Sequence, residues 1–284
     1  MRKIANPLTI TNKFSRKLFS IRKAIYQRYF LTPSDKQKIV FITGCQRSGN
    51  TLLRRLFDKD LSSKTYEEQS SLSSRDLQGR RLNPYEEVQS VIQRTKTPLI
   101  VIKTPVESQN ILKLLEHFHS SKTIWMFRDY KDVIQSNLTK FGMNNGIADI
   151  RPIVEANPKD WRSKNTSEHT RNTVAKFFSK DMNPYDAAAL FWYARNLIFF
   201  EKELERNQRI FLCKYEDLVW NPAGTMEKIY EFIGNTFPGV RIISGVHKNS
   251  LGKGKEIRLS AEVEILCKDL YQRLKRLTIH KQDL

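Results

Sequence analysis

Short apolar runs alternate along the chain with longer segments of helical periodicity. The runs at 38–43, 99–103, 122–127 and 209–214 are rich in β-branched residues and are predicted to be strands. An alternation of strands and helices is typical of a parallel sheet with crossover helices. The pattern therefore predicts an α/β fold with a central parallel sheet flanked by helices.

Helical spacing predicts six helices, at 50–57, 108–117, 131–138, 184–205, 223–233 and 260–277. Asn183 and Pro184 mark the start of the longest one, because asparagine is a good N-cap and proline suits the first helical position. Residues 140–183 are polar and contain turn signals such as the Asn-Asn-Gly at 144–146. We expect this segment to be an irregular insertion or lid over an acceptor site.

The first 34 residues differ from the rest of the chain in charge. They carry eight Lys/Arg and no Asp/Glu, so that +11 of the formal net charge of +19 belongs to the remaining 250 residues. Five apolar residues recur there at helical spacing, namely Phe14, Leu18, Ile21, Ile25 and Tyr29. The pattern predicts a basic amphipathic helix within an N-terminal extension at 1–34, before a single domain at 35–284. Such a helix either contacts an anionic membrane or docks on its own domain with its cations facing water.

The chain of 284 residues, 39% of them apolar, is long enough for one large domain. No apolar run approaches the ~20 residues that a membrane-spanning helix needs, and no secretory signal is recognisable. Cys45, Cys213 and Cys267 lie far apart and are odd in number, which suits a reducing compartment and gives no metal-ligand spacing. We therefore expect a cytoplasmic protein without a bound metal, with membrane association through residues 1–34 left open.

The loop after the first predicted strand is the segment with the clearest chemistry. Backbone N–H groups in a small-residue loop that leads into a helix form a cradle for an anion. Gly44, Gly49 and Thr51 fit the spacing of a nucleoside-triphosphate loop, but Asn50 stands where that loop has lysine, and Arg47 supplies the cation. The loop is predicted to bind phosphate without the usual lysine clamp. Cys45 within it is interpreted as a small filler of the loop.

A second anion-binding pattern begins where the strand at 122–127 ends. Arg128 follows that strand, and Ser136 lies eight residues further on in a predicted helix. Ligands bind at the carboxyl ends of parallel strands, and an arginine there can hold a phosphate by two parallel hydrogen bonds. The alternative is that Arg128 only pairs with Asp129 or Asp132 at the start of the helix.

Lys103 ends the strand at 99–103, where a lone buried charge would be costly without a partner. An anionic ligand would be such a partner, although a lysine at a strand end can also be solvated. Glu67 and Glu68 follow the predicted loop helix and are candidates for a general base. The alternative for them is an ordinary solvated acidic pair.

Taken together and in this order, the motifs resemble those of sulfotransferases that use 3′-phosphoadenosine-5′-phosphosulfate (PAPS). The segment 46–51 resembles the 5′-phosphosulfate loop, and its arginine is closer to tyrosylprotein sulfotransferases and related bacterial enzymes than to the lysine-bearing cytosolic ones. Gln46 and Asn50 depart from the usual proline and threonine. The resemblance implies a P-loop nucleotide-hydrolase-like sulfotransferase fold and PAPS as co-substrate, with no metal.

The resemblance also implies roles for individual residues. Glu68 would be the base, with Glu67 as the second candidate, and Arg47 and Lys103 would stabilise the leaving phosphate. Tyr215 would lie near the adenine, and the basic glycine-rich loop at 247–255 would close over the 3′-phosphate. The implied donor-binding residues are Gln46, Arg47, Ser48, Gly49, Asn50, Thr51, Arg128, Ser136, Tyr215, Ser250 and Lys253.

The expected reaction is therefore in-line transfer of a sulfuryl group to a hydroxyl acceptor, with a glycan, a lipid, a tyrosine and a small molecule all left open. A P-loop kinase is an alternative, but it would need a lysine at position 50. A non-catalytic polyanion-binding protein would explain the charge, but not the ordered motifs. No nucleic-acid-binding signature is evident, so nucleic acid is not an expected partner.

Overall fold

The computed structural model describes residues 7–31, 37–76 and 79–280. The helices are α1 Pro7–Tyr29, α2 Asn50–Asp58, α3 Tyr85–Gln93, α4 Ile111–His117, α5 Tyr130–Phe141, α6 Asn145–Val154, α7 Glu168–Ala175, α8 Pro184–Glu201, α9 Tyr215–Trp220, α10 Pro222–Ile233 and α11 Ala261–His280. The strands are β1 Lys38–Gly44, β2 Ser63–Tyr66, β3 Ser73–Asp76, β4 Gly79–Leu82, β5 Leu99–Lys103, β6 Lys122–Phe127 and β7 Ile210–Lys214. The predicted start of the N-terminal extension and its boundary at residue 34 lie outside the described residues.

The main sheet has the strand order β2-β5-β1-β6-β7, and every pair in it is parallel. The predicted α/β fold with a central parallel sheet flanked by helices is confirmed, and the four predicted strands are β5, β1, β6 and β7. Two features of the sheets were not predicted. One is the polar edge strand β2, and the other is the antiparallel hairpin of β3 and β4.

Side chains of alternate residues in the central strand β1 enter two separate cores, as the two-residue period of a strand requires. Val40 and Ile42 pack with residues of α2 and α10 on one face of the sheet. Ile39 and Phe41 belong to the larger core on the other face, which contains most of α8. Both faces of the sheet are thus covered, and the cleft described below lies at the carboxyl ends of its strands.

The expectation that residues 140–183 are irregular was wrong, because α6 and α7 lie within this segment. Ile150 and Ile153 of α6 are buried in the larger core, and α6 packs closely on α8. Gly146 permits this approach, since a Cβ there would lie 2.7 Å from the Pro184 carbonyl oxygen. The Asn-Asn-Gly sequence therefore marks a helix start, and the proposed lid role stays a prediction.

The predicted cap of α8 is confirmed, because the Asn183 side chain accepts a hydrogen bond from the Tyr185 N–H. The helix ends at Glu201 rather than near Glu205, and a short 3₁₀ turn at Leu204–Arg206 follows it. The predicted helix at 108–117 is divided in the same way, into a 3₁₀ segment, Pro105–Asn110, and α4. Among the described residues, no helix is both long and apolar enough to cross a bilayer.

Candidate active site

The carboxyl ends of β1, β5 and β6 meet at one edge of the sheet. Ile42 of β1 lies opposite Lys103 of β5, and Gly44 lies opposite Met126 of β6. A cleft of about 430 Å³ opens at this edge. Its lining includes Gln46, Arg47, Gly49, Asn50, Thr51, Glu68, Lys103, Arg128, Ser136, Tyr215 and Ser250. Ser48, a residue of the loop between β1 and α2, is fully buried and does not line the cleft. Lys253 lines an adjoining depression that shares Arg47, Arg128, Ser136 and Ser250 with the cleft.

The loop between β1 and α2 has several residues with positive φ, and two of them are glycines, which adopt that conformation without strain. Gly44 and Gly49 have φ values of 111° and 98°, and a Cβ at Gly44 would lie 2.2 Å from the Met126 carbonyl oxygen. Arg47 also has a positive φ, 66°, which costs about 1–3 kcal/mol for a residue other than glycine. Strain of this kind clusters at ligand sites, and here it lies at the cationic centre of the loop.

Asn50 closes this loop from within. Its Nδ2 donates a hydrogen bond of 2.9 Å to the Cys45 carbonyl oxygen, and the side chain is 4% exposed. The residue that replaces the usual lysine therefore holds the loop in shape, in addition to lining the cleft.

The interpretation of Cys45 as a loop filler agrees with its surroundings, because complete burial raises the pKa of its thiol to about 12. Since only the thiolate is reactive, we expect Cys45 of the folded protein to resist alkylation at pH 8. Mass spectrometry of peptides after iodoacetamide treatment, with and without denaturant, measures this. Rapid labelling of Cys45 in the native protein would contradict the interpretation.

Lys103 finds its partners within the chain. Its Nζ lies 3.1 Å from Glu67 Oε2, 3.0 Å from Glu68 Oε2 and 3.1 Å from Thr51 Oγ1. The sequence left an anionic ligand or solvent as the partner of this buried lysine, and the structure adds two carboxylates of the chain itself. The two carboxylates compensate its charge, and they fix its ammonium group beside the phosphate loop.

Glu67 and Glu68 differ in what else they contact. Glu67 also pairs with Arg54, whose NH2 atom lies 2.8 Å from Glu67 Oε1. Glu68 has Lys103 as its ion-pair partner among the described residues and lines the cleft, which Glu67 does not. The geometry thus places Glu68 in the lining of the cleft and Glu67 outside that lining, between Lys103 and Arg54.

Arg128 pairs with an aspartate and also lines the cleft, which are the two alternatives that the sequence left open. Its guanidinium pairs with Asp132 at 3.2 Å, as the alternative reading proposed, and donates to the Ser250 carbonyl oxygen. It also stacks on the Tyr215 ring at 4.5 Å and lines the cleft. Its Nε has no hydrogen-bond partner among the described residues. Asp132 thus orients a cation that retains capacity for a ligand.

Asp132 is a residue of the site that the sequence did not single out as functional. Its carboxylate accepts hydrogen bonds of 2.9 Å from the N–H groups of both Gly252 and Gly254. It therefore joins the basic glycine-rich loop to Arg128. The Tyr215 and Ser250 hydroxyls lie 2.5 Å apart and tie the same loop to the start of α9.

Arg47 reaches across the cleft entrance. Its Nε donates to Ser136 Oγ at 3.0 Å, and its guanidinium lies over the Phe141 ring. Arg47 forms no ion pair with any carboxylate in the described part of the chain. Partial burial, and then the nearby Arg128, lower its pKa. Within the described part of the chain Arg128 pairs with Asp132 and Arg47 pairs with no carboxylate, so the two neighbouring guanidinium groups retain positive charge that favours binding of an anion.

Comparison with known proteins gives a consistent result. The family model for the sulfotransferase domain matches residues 37–276. The chain is similar in structure to the sulfotransferase domain of the olefin synthase from Synechococcus PCC 7002, with 17% identity, a TM-score of 0.51 and coverage of 86% of this chain and 98% of that one. It is also similar to the sulfotransferase domain from the curacin biosynthetic pathway, with 18% identity, a TM-score of 0.54 and coverage of 85% and 99%. No curated protein sequence matches the chain.

Proposed function

The chain belongs to the sulfotransferase family, and we propose that it transfers a sulfuryl group from PAPS to a hydroxyl group of its acceptor. The observation that carries the proposal is the convergence of Arg47, Lys103 and Arg128 on one cleft that also exposes Glu68. Three cations can bind the 5′- and 3′-phosphate groups of the donor and stabilise their charge. A carboxylate can act as the general base that removes the hydroxyl proton.

Unpartnered polar groups support the fit of a phosphorylated nucleotide. The Gln46 side-chain amide and Arg128 Nε are buried without hydrogen-bond partners among the described residues. Buried polar groups are usually satisfied, so the phosphate oxygens of a ligand would accept hydrogen bonds from Gln46 Nε2 and Arg128 Nε. Gly49 is the N-cap residue of α2, and the first N–H groups of a helix are donors for such oxygens.

When bound, the donor supplies an activated sulfuryl group attached to a 5′-phosphate leaving group. Arg47 and Lys103 would stabilise the negative charge that develops on that phosphate, which is electrostatic catalysis by preorganised cations. The two glutamates beside Lys103 hold its ammonium in place. The protein therefore needs no rearrangement of Lys103 to meet the developing charge.

Arg128 and Ser136 would bind the 3′-phosphate, with Ser250 and Lys253 of the glycine-rich loop beside them. Asp132 would act as a positioning residue, because it contacts both Arg128 and the loop backbone. Tyr215 packs against Gly49, where a Cβ would lie 2.3 Å from the ring. We propose that it supports the phosphate loop and Arg128 at the cleft wall, in addition to lying near the adenine.

Glu68 would accept the proton of the acceptor hydroxyl. Its carboxylate faces the cleft at 3.0 Å from Lys103, so the base and a leaving-group cation are adjacent. Phe141, Leu52 and Pro105 add apolar surface to the same cleft. The acceptor class stays a proposal at the level of a hydroxyl compound.

Transfer of radioactive sulfur tests the proposed function. The protein is incubated with ³⁵S-labelled PAPS and separate acceptors: a phenol, a tyrosine peptide, a glycolipid and a cell extract. Label on at least one acceptor, dependent on Glu68, is expected. Absence of transfer to all of them, with labelled donor bound, would contradict the enzymatic role and leave a binding protein.

Gly254→Ala is expected to weaken binding of adenosine 3′,5′-bisphosphate (PAP), the desulfated donor. A Cβ at this position would lie 2.2 Å from the Lys131 carbonyl oxygen, so the loop would have to leave Asp132. We expect a loss of about tenfold or more, since each lost 1.4 kcal/mol is tenfold in affinity. Calorimetry measures the affinity, and the control is Glu256→Gln, a change at the exposed residue that directly follows the loop. Equal affinities would show that the loop plays no part in binding.

A further inference from the structure

Two polar side chains hold helix α1 against the domain. Lys23, only 9% exposed, donates through Nζ to the Asp58 carbonyl oxygen at 2.5 Å and lies 3.5 Å from the Asp58 carboxylate. Gln27 Nε2 donates to the carbonyl oxygens of Leu61 and Ser63 at 3.0 and 2.7 Å. Hydrogen bonds to the turn between α2 and β2 therefore fix this helix.

The apolar side of α1 faces outward. Leu18, Ile21, Ile25 and Tyr29 are 59%, 49%, 49% and 69% exposed. These four residues, here called the outer stripe, follow one another at three- and four-residue steps and share one face of the helix. With 3.6 residues per turn, positions 23 and 27 fall on the opposite face. The amphipathic pattern is thus inverted relative to a helix that buries its apolar face in its own core.

Basic residues flank the outer stripe. Lys17, Arg22 and Arg28 are all exposed, and the sequence up to residue 34 contains no acidic residue. Apolar side chains on one face with cations at its margins are the composition of helices that lie in a membrane interface. Cations close to an anionic bilayer add attraction that falls off within a Debye length.

We propose that α1 docks the domain onto an anionic lipid bilayer, with the outer stripe in the boundary between headgroups and acyl chains and Lys17, Arg22 and Arg28 at the anionic headgroups. Charge argues for this partner over a second copy of the chain. Two copies of α1 would bring together two helices with cations and no anions, which repel. A polyanion such as nucleic acid would match the charge but would leave the outer stripe uncovered.

The docking surface is separate from the active site. Lys23 and Gln27 contact the chain at the end of α2 and the start of β2, whereas the cleft lies at the carboxyl ends of the strands. Changes in the outer stripe should therefore leave PAP binding intact. Failure of the membrane proposal and failure of the proposed function are thus distinguishable.

Vesicle co-sedimentation of the full chain tests the proposal. Vesicles of phosphatidylcholine alone are compared with vesicles that also contain phosphatidylglycerol. We expect wild-type protein to bind the anionic vesicles, and binding to weaken as salt is added. The double variant Ile21→Ser/Ile25→Ser is expected to bind at least about tenfold more weakly than wild type, since apolar burial supplies part of the affinity.

A matched control removes two exposed apolar residues elsewhere. Leu112→Ser/Ile265→Ser changes residues that are 42% and 68% exposed on α4 and α11, and it should bind vesicles like wild type. Arg22→Gln/Arg28→Gln should weaken binding and make its salt dependence shallower. Circular dichroism and PAP titration establish that each variant is folded.

Two results would overturn the proposal. One is equal sedimentation of wild type and Ile21→Ser/Ile25→Ser, or no sedimentation of either, with anionic vesicles. The other is a dimer in analytical ultracentrifugation that Ile21→Ser/Ile25→Ser dissociates, without vesicle binding by the wild type. The second result would assign the outer stripe to a contact between copies.

Discussion

Glu68→Gln is expected to lower kcat by about 10²–10⁴-fold, the range that a positioned general base contributes. Glutamine keeps the size of the side chain and can still accept a hydrogen bond from Lys103, but it cannot take the acceptor proton. PAP affinity should therefore stay close to that of wild type. Transfer of labelled sulfur under saturating donor, together with calorimetry of PAP binding, measures the two quantities separately.

Glu67→Gln is the matched control for this experiment. Glu67 shares Lys103 with Glu68 but also pairs with Arg54 and does not line the cleft, so its loss should disturb positioning without removing the base. We expect a fall in kcat of less than about tenfold, well below the effect of losing a base. A large loss at Glu67 with normal turnover at Glu68 would exchange their roles.

Arg47→Ala is expected to weaken PAP binding by about 10- to 150-fold, because a hydrogen bond to a charged group contributes about 1.5–3 kcal/mol. Alanine keeps a Cβ at the same positive φ, so the backbone strain of the loop is nearly unchanged and the guanidinium is what is lost. The turnover should fall as well, since Arg47 also faces the leaving phosphate. Isothermal titration and sulfuryl transfer measure the two effects.

Two further variants sharpen the interpretation of this result. Arg47→Lys should recover part of the affinity through its charge, though not the planar hydrogen-bond geometry of arginine. Arg151→Ala removes an exposed arginine from α6, away from the cleft lining, and should leave binding unchanged. An equal loss in Arg47→Ala and Arg151→Ala would indicate an effect of net charge alone.

The sheet was predictable because its central strands are continuous apolar runs. β1, β5 and β6 are buried on both faces, so nearly every position in them is apolar. β2 was missed because its sequence, Ser-Lys-Thr-Tyr, is short and polar and is held by pairing with β5 at the edge of the sheet. α6 was missed because its turn residues were read as a loop, although Ile147, Ile150 and Ile153 recur at helical spacing.

Part of the site was predictable for a related reason. A motif between a parallel strand and the next helix lies at the carboxyl edge of the sheet. The segment 46–51 and Arg128 could therefore be placed at one edge from sequence alone. The partners of Lys103 could not. The unpredicted pairing of β2 with β5 sets Tyr66 opposite Ile102, and this register brings Glu67 and Glu68 to the lysine.

Contacts between segments that are distant in the sequence could not be predicted either. Asp132 meets Gly252 and Gly254 across 120 and 122 residues of sequence, and no local pattern announces that contact. The same holds for the inverted orientation of α1, which depends on Lys23 reaching Asp58. The periodicity of α1 showed an apolar face, but only the tertiary contacts show which way that face points.

The central claim is that the cleft accepts the nucleotide of a sulfuryl donor through arginine and lysine, rather than a triphosphate through lysine and magnesium. Calorimetric titration of wild-type protein with PAP in EDTA, and with ATP in Mg²⁺, tests it most directly. We predict that PAP binds without metal and at least about tenfold, or 1.4 kcal/mol, more tightly than Mg-ATP. Tight binding of Mg-ATP with no detectable binding of PAP would contradict the claim.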